Sequence, residues 1–301
     1  MLVVANRAAG STERDAIAAA VAVLREAGQV DVVETGEPSD VHRVLDAPDG
    51  RQIVVAGGDG SLHTVVSALH QRGELADRPI GLIPLGTGND LARGLSIPLD
   101  PTEAAQVILA GHVRRLDLVV DDAGGVVINA VHLGVGALAA HDATTLKPRL
   151  GRFAYPLGAL AAGLRASGWR LNIDVDGRQI AEANGRVLMV AIANGPSIGG
   201  GMAHLNPDAT PDDGMADVIV SHAVGPLARL GYAVHLTRGT HITRSDSTAT
   251  RGRRVSVSGE PFLTVADGEI DGPLTERSWT LEPAAWQVIA PPASDSAHQP
   301  T

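Results

Sequence analysis

Short apolar runs and helical patterns alternate through the first third of the chain. Leu2–Ala5 reads as a strand, and Thr12–Ala27 follows as a helix with Ile17, Val21 and Leu24 at helical spacing. Thr12 with Asp15 three residues on has the form of a capping box, and Gly28 stands where a helix stop belongs. Val30–Glu34 and Gln52–Ala56 read as further strands, separated by a short helix over Ser39–Leu45. Ser61–His70 then reads as a helix, Ile80–Ile83 as a strand and Asp90–Leu95 as a helical turn. Strands spaced by helices predict a mostly parallel sheet with helices on its faces, whose ligands gather at the carboxyl ends of the strands.

From about Arg114 the dominant period changes. Leu116–Val120 and Val126–Val131, around the turn Asp121–Gly125, predict a hairpin, as do Arg170–Val175 and the strand from Gln179, joined by Asp176-Gly177. Strands recur at Val187–Ala193, Ala216–Ser221, Arg254–Ser258 and Phe262–Ala266, and Tyr155–Arg165 is the one helix expected in this half. The predicted organisation is an α/β domain over 1–115, an antiparallel β-rich domain over 116–290, and a disordered tail over 291–301 rich in Pro, Ser and Ala.

Composition narrows the partners. The formal net charge is -10 and no block of Lys or Arg stands out, which excludes nucleic acid as a partner and confines any membrane contact to a local patch, peripheral and transient. The absence of cysteine excludes disulfides, thiolate metal sites and a cysteine nucleophile. No stretch approaches the roughly 18 apolar residues of a spanning helix, and the opening strand lacks the basic start of a signal peptide, so a cytoplasmic location is expected. Aromatics are only 2%, so the core is expected to be built from Val, Leu, Ile and Ala. The sequence leaves room for a homodimer.

Two segments carry candidate chemistry. Gly57-Gly58-Asp59-Gly60-Ser61 follows the third strand and opens a helix. Glycines there let the backbone approach a phosphate, and the first free N–H groups of the helix add partial positive charge. Taken alone, such a stretch is equally an ordinary turn. The second segment, Gly86-Thr87-Gly88-Asn89-Asp90, is another strand-to-helix junction of the same sheet. Two neighbouring junctions of this kind can grip a polyphosphate, with Thr87 and Asn89 offering side-chain hydrogen bonds and Asp59 either orienting the loop or holding Mg²⁺. His63 follows the first loop, within reach of a phosphate or ribose, although a plain helix-face role is as good a reading. No Gly-x-Ser-x-Gly elbow and no Gly-x-Gly-x-x-Gly after the first strand is present.

The pair of segments resembles the diacylglycerol kinase catalytic-domain family, which includes soluble bacterial lipid kinases and the sphingosine and ceramide kinases. Ser61 stands where the family's first signature has Thr, and the second signature is complete. Asn6 with Gly10 looks like the family's N-terminal loop, although Arg7 replaces a proline, and Thr35 corresponds to a threonine that contacts nucleotide in relatives. The resemblance implies an α/β nucleotide-binding domain followed by an antiparallel β-sandwich, of the NAD kinase and diacylglycerol kinase type. It further implies ATP and Mg²⁺ as cofactors and a lipid hydroxyl as acceptor, entering a cleft between the domains.

In the second half, Asn194-Gly195, Gly199-Gly200-Gly201 and Asn206–Gly214 are similar to the stretch that binds a structural Mg²⁺ in the family. By position the ligands would be the Asp213 carboxylate with the backbone carbonyls of Thr210 and Met215. Without the resemblance this is a solvated acidic turn. Asp267-Gly268-Glu269 resembles the family's Asp-Gly-Glu motif, in which a carboxylate acts as base; Asp267 is favoured, with Glu269 supporting it or binding metal, and the reverse order stays open. Read without the family, Asp-Gly is a hairpin turn. Diacylglycerol is the first acceptor expected. The alternatives are an NAD kinase-like enzyme and a non-catalytic lipid-binding or regulatory module of the same fold.

Overall fold

The computed structural model describes residues 1–8, 10–46, 50–135, 137 and 167–293. The expected helix Tyr155–Arg165 and all but the first three residues of the expected tail lie outside them. The chain divides into two compact units, Met1–Leu116 with Trp286–Thr301, and Asp117–Ala285. The return of 286–290 to the first unit differs from the sequence reading, which put these residues in the second domain. The reason is a strand pairing between residues distant in sequence, described below.

In the first unit, β1 (Leu2–Asn6), β2 (Asp31–Thr35), β3 (Ile53–Gly57) and β4 (Ile80–Pro84) pair in parallel in the order β2-β1-β3-β4. All five residues of β3 and of β4 are buried, as expected of central strands covered on both faces, whereas β2 alternates half-buried and exposed positions at the edge. The helices are α1 (Ser11–Leu24), α2 (Pro38–Leu45), α3 (Asp59–Gln71), α4 (Asp90–Gly94) and α5 (Pro101–Ala110). α1 turns Ile17, Ala20, Val21 and Leu24 onto a core shared with Val3, Val54, Ile83 and Ile108. Its N-cap is Gly10, whose N–H donates to Glu13 Oε2 at 3.2 Å, so the capping pair sits two residues earlier than the Thr12 and Asp15 expected. α5 lay unread in the sequence although its signals are local. Asp100 Oδ1 accepts from the N–H groups of Thr102 and Glu103, Pro101 follows the cap, and Gly111 ends the helix in the left-handed region.

The second unit is antiparallel. Its strands are β5 (Val113–Asp121, entering from the first unit), β6 (Val126–Val127), β7 (Ala130–Gly134), β8 (Leu171–Val175), β9 (Arg178–Ala181) and β10 (Met189–Ala193). They continue with β11 (Ser197–Ile198), β12 (Ala203–His204), β13 (Ala216–Ser221), β14 (Ser247–Gly252), β15 (Arg254–Ala266) and β16 (Glu269–Ile289). One run of pairs is β14-β13-β10-β7-β15; the other joins β9 and β8 to β15, β16, β5 and β6. β15 serves both, pairing β8 through Val255–Gly259 and β7 through Thr264–Ala266, with an irregularity between Ser258 and Phe262 where it bends from one to the other. Both sets of inner faces bury one apolar cluster that includes Val131, Ile173, Val218, Val257, Phe262 and Trp279. This is a β-sandwich.

Val288 near the end of β16 pairs in parallel with Ile80 of β4, which brings the chain back to the first unit. A helix not expected from the sequence, α6 (Pro226–Thr237), follows β13. Asp176-Gly177 forms the predicted two-residue turn, with φ of 53° and 81° and Val175 opposite Arg178.

Candidate active site

The two glycine junctions meet at the carboxyl ends of β3 and β4. Gly57 is in register with Pro84, and Leu85 N–H donates to the Gly57 carbonyl at 3.0 Å, which aligns the loops that follow. A methyl group built on Gly58 would lie 2.8 Å from Gly86 Cα, and one on Gly86 would lie 2.5 Å from Gly58 Cα. The two backbones are therefore in direct contact, and only hydrogen fits between them. The second loop is braced by Asn89, a buried residue with φ 52°, whose Oδ1 accepts from Gly86 N–H at 2.9 Å while its Nδ2 donates to Gly86 O at 2.7 Å. Asn89 thus fixes the loop's shape. Arg93, not singled out from the sequence, donates from Nε to Gly88 O at 3.0 Å and holds the same loop from outside.

α3 begins at Asp59 with Gly58 as its N-cap, two residues earlier than the pattern suggested. Asp59, Gly60 and Ser61 therefore form the first turn, whose N–H groups have no partner within the helix ladder and point outward from its N-terminus. His63 sits in the second turn. Asn6, Gly57, Gly58, Ser61 and Gly86 line one depression of about 110 Å³ together with Glu13. An adjoining one of about 120 Å³ is lined by Asn6, Thr35, Gly60 and Ser61 among others. Asp59, His63, Thr87, Gly88, Asn89 and Asp90 line neither; Thr87 is exposed and Asp90 is buried at the start of α4. Gly10 enters as the cap of α1 beside Glu13. The signal for Glu13 was present as the third residue after a glycine cap.

Thr35 Oγ1 donates to Ala5 O at 3.3 Å, joining the ends of β1 and β2, and Asn6 Oδ1 accepts from Ala8 N–H at 2.8 Å. Nearby, Asp40 is held below the usual carboxylate range by the N–H groups of Gly36 and Glu37, with Arg43 and Arg7 adding to the effect. It keeps a negative charge beside Arg7, the residue that replaces the family's proline. A larger cavity of about 600 Å³ lies at the opposite, amino ends of the strands, where Gln52 and Pro79 precede β3 and β4. Within its lining Arg72 pairs with Asp46 and Glu74, and Arg78 with Glu74. It lacks the paired glycine junctions of the other edge.

In the second unit Asp267 occupies the tip of the β15–β16 hairpin with φ 46°, followed by Gly268 at 94°. The hairpin turn and the carboxylate motif are thus the same structure. Asp267 Oδ2 accepts from Ile128 N–H at 2.6 Å, and Oδ1 accepts from Asn129 and Ala130 N–H at 2.9 and 3.2 Å. Ile128 and Asn129 form the break between β6 and β7, and Ala130 opens β7. The other side of the break is clasped by Asn194, whose Nδ2 donates to Ile128 O at 2.9 Å and Asp117 O at 3.1 Å. Glu269, at the start of β16, is exposed. His132 on β7 is buried and pushed down to about 4, so it is neutral at neutral pH.

The acidic turn is held by hydrogen bonds and ion pairs. Asp213 Oδ2 accepts from Thr210 Oγ1 at 3.1 Å and is paired with the Arg251 guanidinium, while Oδ1 accepts from Met215 N–H at 3.1 Å. Arg251 also lies 3.5 Å from Asp217, whose carboxyl is pushed upward by burial against the opposing pull of Asn206 and Arg251. Asp117, 2% exposed, anchors the turn by accepting from Gly214 N–H at 2.7 Å and Ala284 N–H at 2.8 Å. No group of three His, Asp or Glu able to hold a metal occurs among the described residues. Of the expected set, Asp213 has both oxygens engaged, by Thr210, Met215 and Arg251, and Arg251 stands as its counter-charge. Asp117 was legible as a lone carboxylate within an apolar strand pattern; Arg251 gave no local sign.

This arrangement predicts that the wild-type melting temperature is the same in EDTA and in Mg²⁺. Arg251→Ala should lose about 1 kcal/mol, a modest figure because the pair is half exposed, and should regain it on adding Mg²⁺. Thermal scans of both proteins in each condition test this; a wild-type protein destabilised by EDTA would overturn it.

Two family models match successive parts of the chain. Residues 1–120 match the model of the diacylglycerol kinase catalytic domain, and residues 129–290 match that of the YegS C-terminal NAD kinase beta sandwich-like domain. A protein named "Probable lipid kinase YegS-like" from Xanthomonas campestris pv. campestris is 35% identical over 90% of each chain. A Mycobacterium tuberculosis protein named diacylglycerol kinase is 30% identical, over 90% of this chain and 88% of its own. The crystal structure of a diacylglycerol kinase from Bacillus anthracis str. Sterne superposes with a TM-score of 0.74 over 97% of each chain, at 22% identity, a likeness of fold. With the paired glycine junctions in the first unit and the sandwich in the second, the chain belongs to the diacylglycerol kinase-like family of lipid kinases.

Proposed function

We propose that the protein transfers the γ-phosphoryl group of ATP to a lipid hydroxyl, with diacylglycerol as the first acceptor and phosphatidic acid as product. The observation that carries the reading is the backbone contact of Gly58 with Gly86 beside the N-terminus of α3. It leaves room for phosphate oxygens against main-chain N–H groups, where side chains would otherwise stand. ATP enters as its Mg²⁺ complex, a substrate, and Asp59 in the first turn of α3 and Glu13 in the lining of the depression are the carboxylates offered to that ion. Asn6, Thr35 and Ser61 line the adjoining depressions and suit contacts to the rest of the nucleotide.

Phosphoryl transfer needs the alcohol proton to leave as the new P–O bond forms. Asp267 has both oxygens committed to three backbone N–H groups, which favours a role in fixing the hairpin tip. We assign proton acceptance to Glu269 and positioning to Asp267, reversing the order favoured from the sequence. Incubation with ATP, Mg²⁺ and, in separate reactions, a total lipid extract or NAD, followed by mass spectrometry of the products, tests the reading. Appearance of a phosphorylated lipid supports it. Phosphorylated NAD alone, or lipid binding without turnover, would replace it with one of the alternatives.

A further inference from the structure

α6 is apolar on both sides. Tyr232 points inward with Ala228 and Leu236 onto a cluster containing Met189, Leu205 and Ala223. The outward stripe is also apolar: Leu227 is 85% exposed, Leu230 63% and Val234 41%, at the spacing of one helical face. A helix on a water-facing surface ordinarily turns charge outward. Met202, 64% exposed, is in the turn before β12, the strand that packs on α6. Together these are all the large exposed apolar side chains found among the described residues of the second unit.

The segment that carries this face holds arginine and no acid. No carboxylate occurs in the sequence between Asp217 and Asp246, whereas Arg229, Arg238 and Arg244 do, in a chain of net charge -10. Arg244 and Asp246 pair at 2.6 Å, so neither adds to this balance. Arg238 is exposed at the end of α6. A second copy of the chain would bring the same apolar stripe, with the same arginine at its end, against this one. A bilayer with anionic headgroups offers the complementary charge and an apolar interior.

We propose that α6 is the face on which the protein rests on an anionic bilayer, with Leu227, Leu230 and Val234 entering the acyl boundary and Arg238 meeting headgroup phosphates. This rests on the lipid-kinase reading, since an acceptor held in a membrane must be reached at its surface. Few exposed apolar side chains and a short basic rim make the contact reversible.

The test is co-sedimentation of the full chain with vesicles of phosphatidylcholine and phosphatidylglycerol in equal parts. The double variant Leu227→Asp, Leu230→Asp should bind about tenfold less, and Arg238→Glu should weaken binding to these vesicles but not change the little binding to pure phosphatidylcholine. Both variants should phosphorylate a monomeric short-chain diacylglycerol at the wild-type rate, which also shows that they are folded. Wild-type-like sedimentation of the double variant would overturn the proposal, as would a wild-type dimer in light scattering that the substitutions dissociate. If no variant or parent phosphorylates the short-chain acceptor, the kinase reading fails, while circular dichroism establishes folding and sedimentation still decides the role of α6.

Discussion

Gly86→Ala is expected to lower ATP affinity by about 100-fold and to destabilise the protein by about 1–3 kcal/mol. The added methyl would stand 2.5 Å from Gly58 Cα and 2.9 Å from Asn89 Oδ1. Neither neighbour is the loose end of a flexible chain: one is main chain, the other the amide that braces the loop. Relief therefore requires the two glycine turns to separate, which spoils the alignment of main-chain N–H groups toward phosphate. Gly60→Ala is the matched control, because a methyl there meets nothing within 4 Å and Ala suits a helical first turn. It should melt at the wild-type temperature or slightly above. Isothermal titration with ATP and thermal scans of both variants decide the matter; full nucleotide affinity in Gly86→Ala would show that the junction is only architecture.

Glu269→Gln is expected to reduce turnover by about 10³-fold, roughly 4 kcal/mol of barrier, with melting temperature and ATP affinity unchanged. Asp267→Asn should behave differently. Its amide turns an NH₂ group toward a main-chain N–H, leaving at least one donor of Ile128–Ala130 unpaired, at about 1–3 kcal/mol. Rate and stability should then fall together. Measuring kcat, ATP affinity and urea unfolding for both variants separates a proton acceptor from a residue that positions it. A stable Asp267→Asn protein with a large loss in kcat, beside an active Glu269→Gln, would return the base to Asp267.

Local chemistry made much of this protein legible before any coordinates. Each glycine junction reads from neighbouring residues alone, because a strand, a turn that tolerates no side chain and a helix start all lie within one short stretch. Asp176-Gly177 and Asp267-Gly268 read as hairpin turns for the same reason, since left-handed φ values are a property of the residues that adopt them. Boundaries slipped by one or two residues where caps compete, as at Gly10 and Gly58.

Other features escaped because their causes are not local. β16 runs from Glu269 to Ile289 through stretches whose burial depends on which partner lies alongside. The contact of Gly58 with Gly86 follows from strand register, and the pairing of Asp213 with Arg251 from the meeting of β13 with β14, neither of which spacing reveals. The sequence by itself determined the residues able to leave space for a phosphate and the carboxylates able to take a proton. Tertiary structure alone decided which carboxylate is spent on holding a turn, because that depends on backbone N–H groups more than a hundred residues away, at the break between two strands and the start of the second.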